Sequence, residues 1–121
     1  MAKHVLIIED EPNIIEAISF ILSRDGWQVT AHSDGADAVQ VVQRNPPQLL
    51  ILDVMLPNKS GFDILQDLRA DPQTASLPVL MLTARGQNKD RLLAEKLGVS
   101  RFMTKPFSNA EILTVVQELA G

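Results

Sequence analysis

The stretch LLILDVMLP, Leu49–Pro57, decides how the chain is read. Its apolar run is too short for a helix and has no alternating polar residue, the pattern of a strand buried on both faces. One carboxylate, Asp53, stands where the run should leave the core. Working outward, Gln48–Leu52 is one of three such runs, with His4–Ile8 before it and Pro78–Leu82 after it. Trp27–Ala31 and Arg101–Thr104 read as weaker strands nearer the sheet edges.

Helical periods separate these runs. Ile14, Ile18, Ile21 and Leu22 mark a helix over Pro12–Asp25, with Pro12 suited to its first turn and Gly26 stopping it. Ala38, Val39 and Val42 mark a second over Asp34–Arg44, ended by Pro46 and Pro47. Phe62, Leu65 and Leu68 mark a third over Gly61–Ala70. Leu93 and Leu97 mark a fourth over Gln87–Leu97, stopped by Gly98, and Ile112, Val115, Val116 and Leu119 a fifth over Asn109–Ala120, with Ser108 as N-cap. Strict strand–helix alternation predicts an α/β fold, a mainly parallel sheet with helices on both faces. Residues 1–121 read as a single domain with no repeat or linker.

Composition narrows the chemistry. Apolar residues make up 45% and aromatic ones 4%, so the core is aliphatic. With a net charge of -4 and no basic run, direct nucleic-acid binding is not expected. The absence of cysteine excludes disulfides and thiolate metal sites, and two isolated histidines, His4 and His32, argue against a His-rich one. No apolar run approaches the ~18 residues of a membrane span, and Val5–Ile8 is too short for a signal peptide. A cytoplasmic protein without membrane contact is the expectation.

In open α/β sheets, ligands bind beyond the carboxyl ends of the strands. Asp53 ends the third strand, Glu9 and Asp10 the first, and Thr83 the fourth, while Lys105 follows the fifth. An Asp after a strand is commonly a helix cap, and a lone lysine is commonly solvated; the constellation is specific where its members are not. Three converging carboxylates stay ionised only beside a cation, and an all-oxygen donor set implies a hard divalent ion, most simply Mg²⁺. A carboxylate beside such an ion can attack phosphorus, with an ammonium and a hydroxyl holding the other phosphoryl oxygens. Asp53 is thus a candidate phosphate acceptor.

VLIIEDEP, LLILDVMLPNKSG, VLMLTA and FMTKPF occur in order over nearly the whole chain. In these motifs the chain resembles the receiver domains of two-component response regulators, and in length and layout the stand-alone chemotaxis type. The resemblance implies a doubly wound, flavodoxin-like sheet of order 2-1-3-4-5. It implies that Asp53 is phosphorylated by a sensor histidine kinase or phosphotransfer protein, and that Mg²⁺ is held by Glu9, Asp10, Asp53 and the backbone carbonyl of Met55. Thr83 would bond the phosphoryl group, Ala84 would leave access, and Lys105 would reach a phosphoryl oxygen, aimed by a cis bond to Pro106. Phe102 falls at the aromatic switch position, turning into space that Thr83 vacates and reshaping the face of the fourth helix, fifth strand and last helix; an ordinary core aromatic is the alternative. That face, with Ser100 and Arg101 changing its charge, would meet a downstream protein target or a fused output domain outside the chain, or a second copy on phosphorylation. The first helix would meet the kinase, through Ile14, Ala17 or Phe20.

Met55 and Arg85 occupy the positions that tune water access in the family, and neither orients water well, so self-dephosphorylation should be slow. No other enzymatic turnover is expected. A phosphohydrolase of related chemistry would need an Asp at position 55, and a nucleotide- or flavin-binding module a Gly-, Ser- or Thr-rich loop where the chain has EDEPN. A phosphorylation-independent interaction module of the same fold is the remaining alternative.

Overall fold

The computed structural model describes residues 3–84 and 88–120. Ten elements alternate along them: β1 (Lys3–Ile8), α1 (Pro12–Arg24), β2 (Trp27–His32), α2 (Ala38–Arg44), β3 (Leu49–Asp53), α3 (Gly61–Ala70), β4 (Val79–Thr83), α4 (Asn88–Lys96), β5 (Arg101–Thr104) and α5 (Asn109–Ala120). The strands form one parallel sheet in the order β2-β1-β3-β4-β5, as expected, with β2 and β5 at its edges.

Side chains of a strand alternate between the faces of its sheet, which sorts the apolar runs into two layers. Leu6 and Ile8 of β1, Leu50 and Leu52 of β3, and Val79 and Met81 of β4 pack with Ala38 and Val42 of α2, Ile64, Leu65 and Leu68 of α3, and Ala94 of α4. Val5 and Ile7, Leu49 and Ile51, and Leu80 and Leu82 point the other way, onto Ile18 and Leu22 of α1 and Ile112, Val115 and Val116 of α5. β3 and β4 are buried throughout. Each fully buried aliphatic side chain contributes about 1.5–3 kcal/mol relative to exposure, which makes these two strands the centre of the folding energy.

The helix ends follow local chemistry. Gly26 (φ 90°) and Gly98 (φ 92°) take the left-handed conformation that ends α1 and α4. Ser108 accepts a bond from the Glu111 N–H at 3.1 Å, while the Glu111 carboxylate accepts from the Ser108 N–H at 3.0 Å, a reciprocal cap for α5. Ser60 caps α3 by accepting from the Phe62 N–H.

β3 and β4 end at Asp53 and Thr83, as expected, because the Val54 N–H still donates to the Leu82 carbonyl; a polar side chain does not stop a backbone ladder. Two expectations are corrected. The second helix starts at Ala38 rather than Asp34. The Asp34 carboxylate accepts from the Ala36 N–H and from Asn58, which fixes residues 34–37 as a loop. In α4 the buried residue is Ala94, whose small side chain allows close approach to the sheet; Leu97, just past its end, packs on the same layer as expected, whereas Leu93 is 41% exposed. Gln87, expected to begin that helix, lies outside the described residues.

Candidate functional site

Strand register builds the site. Ile8 of β1 pairs with Leu52 of β3, so Glu9 and Asp53 follow side by side. Asp53 pairs with Leu82 of β4, and Thr83 with Thr104 of β5, so Thr83 and Lys105 arrive at the same rim. The Lys105 N–H donates to the Thr83 carbonyl at 2.7 Å. The Glu9 N–H donates to the His32 carbonyl at 3.0 Å, which ties the end of β1 to that of β2.

Glu9, Asp53 and Thr83 are buried and Asp10 is exposed. Carboxylate oxygens of Glu9, Asp10 and Asp53 all lie within 4.8 Å of one another. Lys105 Nζ stands 2.7 Å from Glu9 Oε1, 3.3 Å from Glu11 Oε1 and 3.4 Å from Asp53 Oδ1. The other Glu9 oxygen accepts from the N–H groups of Asp10 and Glu11, at 3.1 and 3.3 Å. Burial pushes the Glu9 carboxyl up to about 7, with the Lys105 bond pulling against it and the neighbouring Asp53 adding to the rise. Burial draws the Lys105 ammonium down, but its bond to Glu9 and the charge of Asp53 outweigh that and hold it above its ordinary value.

Asp53 Oδ1 is buried and has no hydrogen-bond partner among the described residues. Its ion pair with Lys105 is long, and that ammonium lies closer to Glu9, so the buried oxygen is costly unless something else meets it. The all-oxygen cluster around it suits a hard divalent cation, which would draw the Glu9 carboxyl back to its ionised form. Beside the cluster opens a cleft of about 570 Å³, lined by Asp10, Glu11, Val54, Met55, Leu56, Ser60, Phe62, Thr83 and Asp90.

Glu9, Asp10, Asp53, Thr83 and Lys105 therefore converge as expected. Met55 borders the cleft and is 58% exposed. Ala84 is exposed, the Lys105–Pro106 bond is cis, and Arg85 lies outside the described residues. Phe102 is half-buried against the layer of α2, α3 and α4, with the Arg91 guanidinium 5.3 Å from its ring centroid. It borders a second groove of about 510 Å³ between α4, β5 and α5, where Arg101 is ion-paired with Glu118. On α1, Ile14 packs against the core, whereas Ala17 and Phe20 face outward beside a groove that reaches Asn109.

Two residues escaped the sequence reading. Glu11 shares Lys105, and its signal was the third acid of EDEP. Gly61 begins α3 directly over the end of β3, where its N–H donates to the Val54 carbonyl and an added Cβ would overlap the Asp53 carbonyl oxygen. No helix of the described residues is long and apolar enough to cross a membrane.

A family profile described as "Response regulator receiver domain" matches residues 5–117. The chain is 39% identical over 115 residues to the "Probable transcriptional regulatory protein TcrX" of Mycobacterium tuberculosis, covering 95% of this chain and 48% of that protein. It spans about half the length of the curated relatives it matches. A crystal structure described as a response regulator of Chloroflexus aurantiacus superposes with a TM-score of 0.94 at 30% identity, covering 99% of this chain and 98% of that one. The receiver domain of sensor histidine kinase PA1611 of Pseudomonas aeruginosa, with magnesium coordinated in its active-site cleft, gives 0.90 at 28% identity, covering 100% and 99%.

Proposed function

The chain belongs to the response regulator receiver domain family, and we propose that it is a phosphoacceptor switch whose acceptor is Asp53. The observation that carries this is the buried Asp53 Oδ1, which accepts no hydrogen bond among the described residues and is met only at 3.4 Å by Lys105, set among Glu9 and Asp10. Glu9, Asp10, Asp53 and the Met55 carbonyl would hold Mg²⁺, which when bound neutralises charge on the transferring phosphoryl oxygens. A carboxylate oxygen of Asp53 attacks the phosphorus of a phosphohistidine on a sensor kinase or phosphotransfer protein. The P–O bond forms as the P–N bond breaks, and its electron pair leaves with the imidazole, which takes up a proton. Lys105 then exchanges its contact with Asp53 for one with a phosphoryl oxygen, and the Thr83 hydroxyl donates to another.

The acyl phosphate carries about two negative charges where the Asp53 carboxylate carried one, at one buried point. Thr83 moves toward them, Phe102 turns inward, and the face of α4, β5 and α5 changes shape to engage a partner or a second copy. The half-length match to curated relatives described as transcriptional regulatory proteins favours a fused output domain over the stand-alone chemotaxis arrangement. The receiver itself, carrying no basic run, would not touch nucleic acid, and it would work in the cytoplasm, where α1 meets the kinase through Ala17 and Phe20.

Incubation with acetyl phosphate or phosphoramidate and Mg²⁺, followed by mass measurement, tests the reading. One added phosphoryl group is expected on the wild type and none on Asp53→Asn. An unchanged wild-type mass returns the chain to the phosphorylation-independent module of the same fold.

A further inference from the structure

The segment between β2 and α2 supplies no ligand to the acidic cluster, yet it touches the backbone on both sides of it. At its start, the His32 carbonyl accepts from the N–H of Glu9. Two residues on, the Asp34 carboxylate accepts from the Asn58 side-chain amide at 3.0 and 3.1 Å and from the Ala36 N–H at 2.8 Å. The Gly35 N–H donates to the Pro57 carbonyl at 3.1 Å, and a Cβ on Gly35 would overlap the Lys59 carbonyl oxygen. The loop so gripped, residues 54–60, carries Met55. It turns at Asn58, whose φ of 71° lies in the left-handed region that a non-glycine residue adopts at a cost. The Asp34 bonds hold that turn from outside.

We propose that Asp34, acting through Asn58, is a positioning residue for the divalent-cation site: it fixes the loop that presents the Met55 carbonyl, although it touches neither the cation nor the phosphoryl group. The inference rests on the reading of that site given above. A ligand carbonyl on a loop free to wander binds less tightly than one fixed in advance, and removal of an outer support typically lowers metal affinity by about tenfold or more.

The test titrates the metal-free chain with MgCl₂ by calorimetry and follows amide hydrogen exchange across residues 54–61 without metal. Asp34→Ala should bind Mg²⁺ about tenfold more weakly and speed exchange in the loop. Asn58→Gly keeps the left-handed turn while removing the amide, and should lose the same factor. The double variant should lose no more than either single one, because both break one connection. Asp34→Asn, which retains an acceptor oxygen, should recover most of the affinity. Asp37→Ala, which removes the neighbouring bond to His32, should leave Mg²⁺ binding unchanged. Affinity within twofold of wild type in both single variants, additive losses in the double one, or an equal loss in Asp37→Ala overturns the proposal. A wild type that binds no Mg²⁺ overturns it together with the site reading. A wild type that binds Mg²⁺ but gains no phosphoryl group overturns only the phosphoacceptor function.

Discussion

Met55 borders the cleft beside Asp53, and its thioether has no donor and only a weakly accepting sulfur, so it does not orient water. An acyl phosphate on Asp53 should therefore persist for minutes or longer once the phosphodonor is removed, and Met55→Asn, whose amide can hold a water, should shorten that lifetime. A wild-type half-life of seconds, measured by loss of the phosphoryl mass, would contradict this. Gly61 is constrained by contact rather than by chemistry. Gly61→Ala pushes a methyl group into the Asp53 carbonyl and should destabilise the fold by about 1–3 kcal/mol in urea unfolding while also slowing phosphorylation, because the displaced backbone belongs to the proposed acceptor. Normal stability in that variant would show that the start of α3 shifts freely. Asp53, Glu9, Asp10, Thr83 and Lys105 were legible as residues because each interrupts or follows an apolar run. Gly61 was not, because nothing in its own sequence neighbourhood shows what lies above it.

Elements are joined at their ends by groups that periodicity does not reveal. Arg69, in the last turn of α3, donates to the Leu77 carbonyl at 2.7 Å, the Gly98 carbonyl at 2.8 Å and the Thr74 carbonyl at 3.3 Å. It thus ties α3 to the segment before β4 and to the turn after α4. Arg69→Ala should cost about 2 kcal/mol in denaturant unfolding, and Arg69→Lys should recover little, since one ammonium cannot reproduce a planar fork of donors. Full recovery by lysine would reduce the role to charge alone. The helices themselves were readable wherever an apolar stripe of three or four residues faces the sheet. α2 was read four residues too early, because Asp34 spends its carboxylate on Ala36 and a distant Asn58 instead of capping a helix. Of the two residues that mark α4, Leu97 packs on the core and Leu93 does not, because a short polar helix leaves the choice of face to its neighbours.

Across the whole molecule, gathering three carboxylates at one rim opposes folding, and a cation that binds only the folded state offsets that repulsion. Mg²⁺ at a hundredfold excess over its dissociation constant should stabilise the chain by about 2.7 kcal/mol, a rise of several degrees in Tm that sodium at equal ionic strength does not give. An unchanged Tm would mean that the cluster does not hold the ion. By itself the sequence determined the class of fold, the three buried strands and the five polar residues of the rim. All of these follow from strand length, continuous apolar runs between helical periods and the rule that a parallel sheet opens its carboxyl ends to ligands. Tertiary structure alone decided which oxygen of the cluster accepts no hydrogen bond among the described residues, that Lys105 is shared by Glu9, Glu11 and Asp53, and that Asp34 and Gly61 brace the loop between β3 and α3. Those relations join residues far apart along the chain, and what brings such residues together is the register and packing of the folded sheet, which no local pattern records.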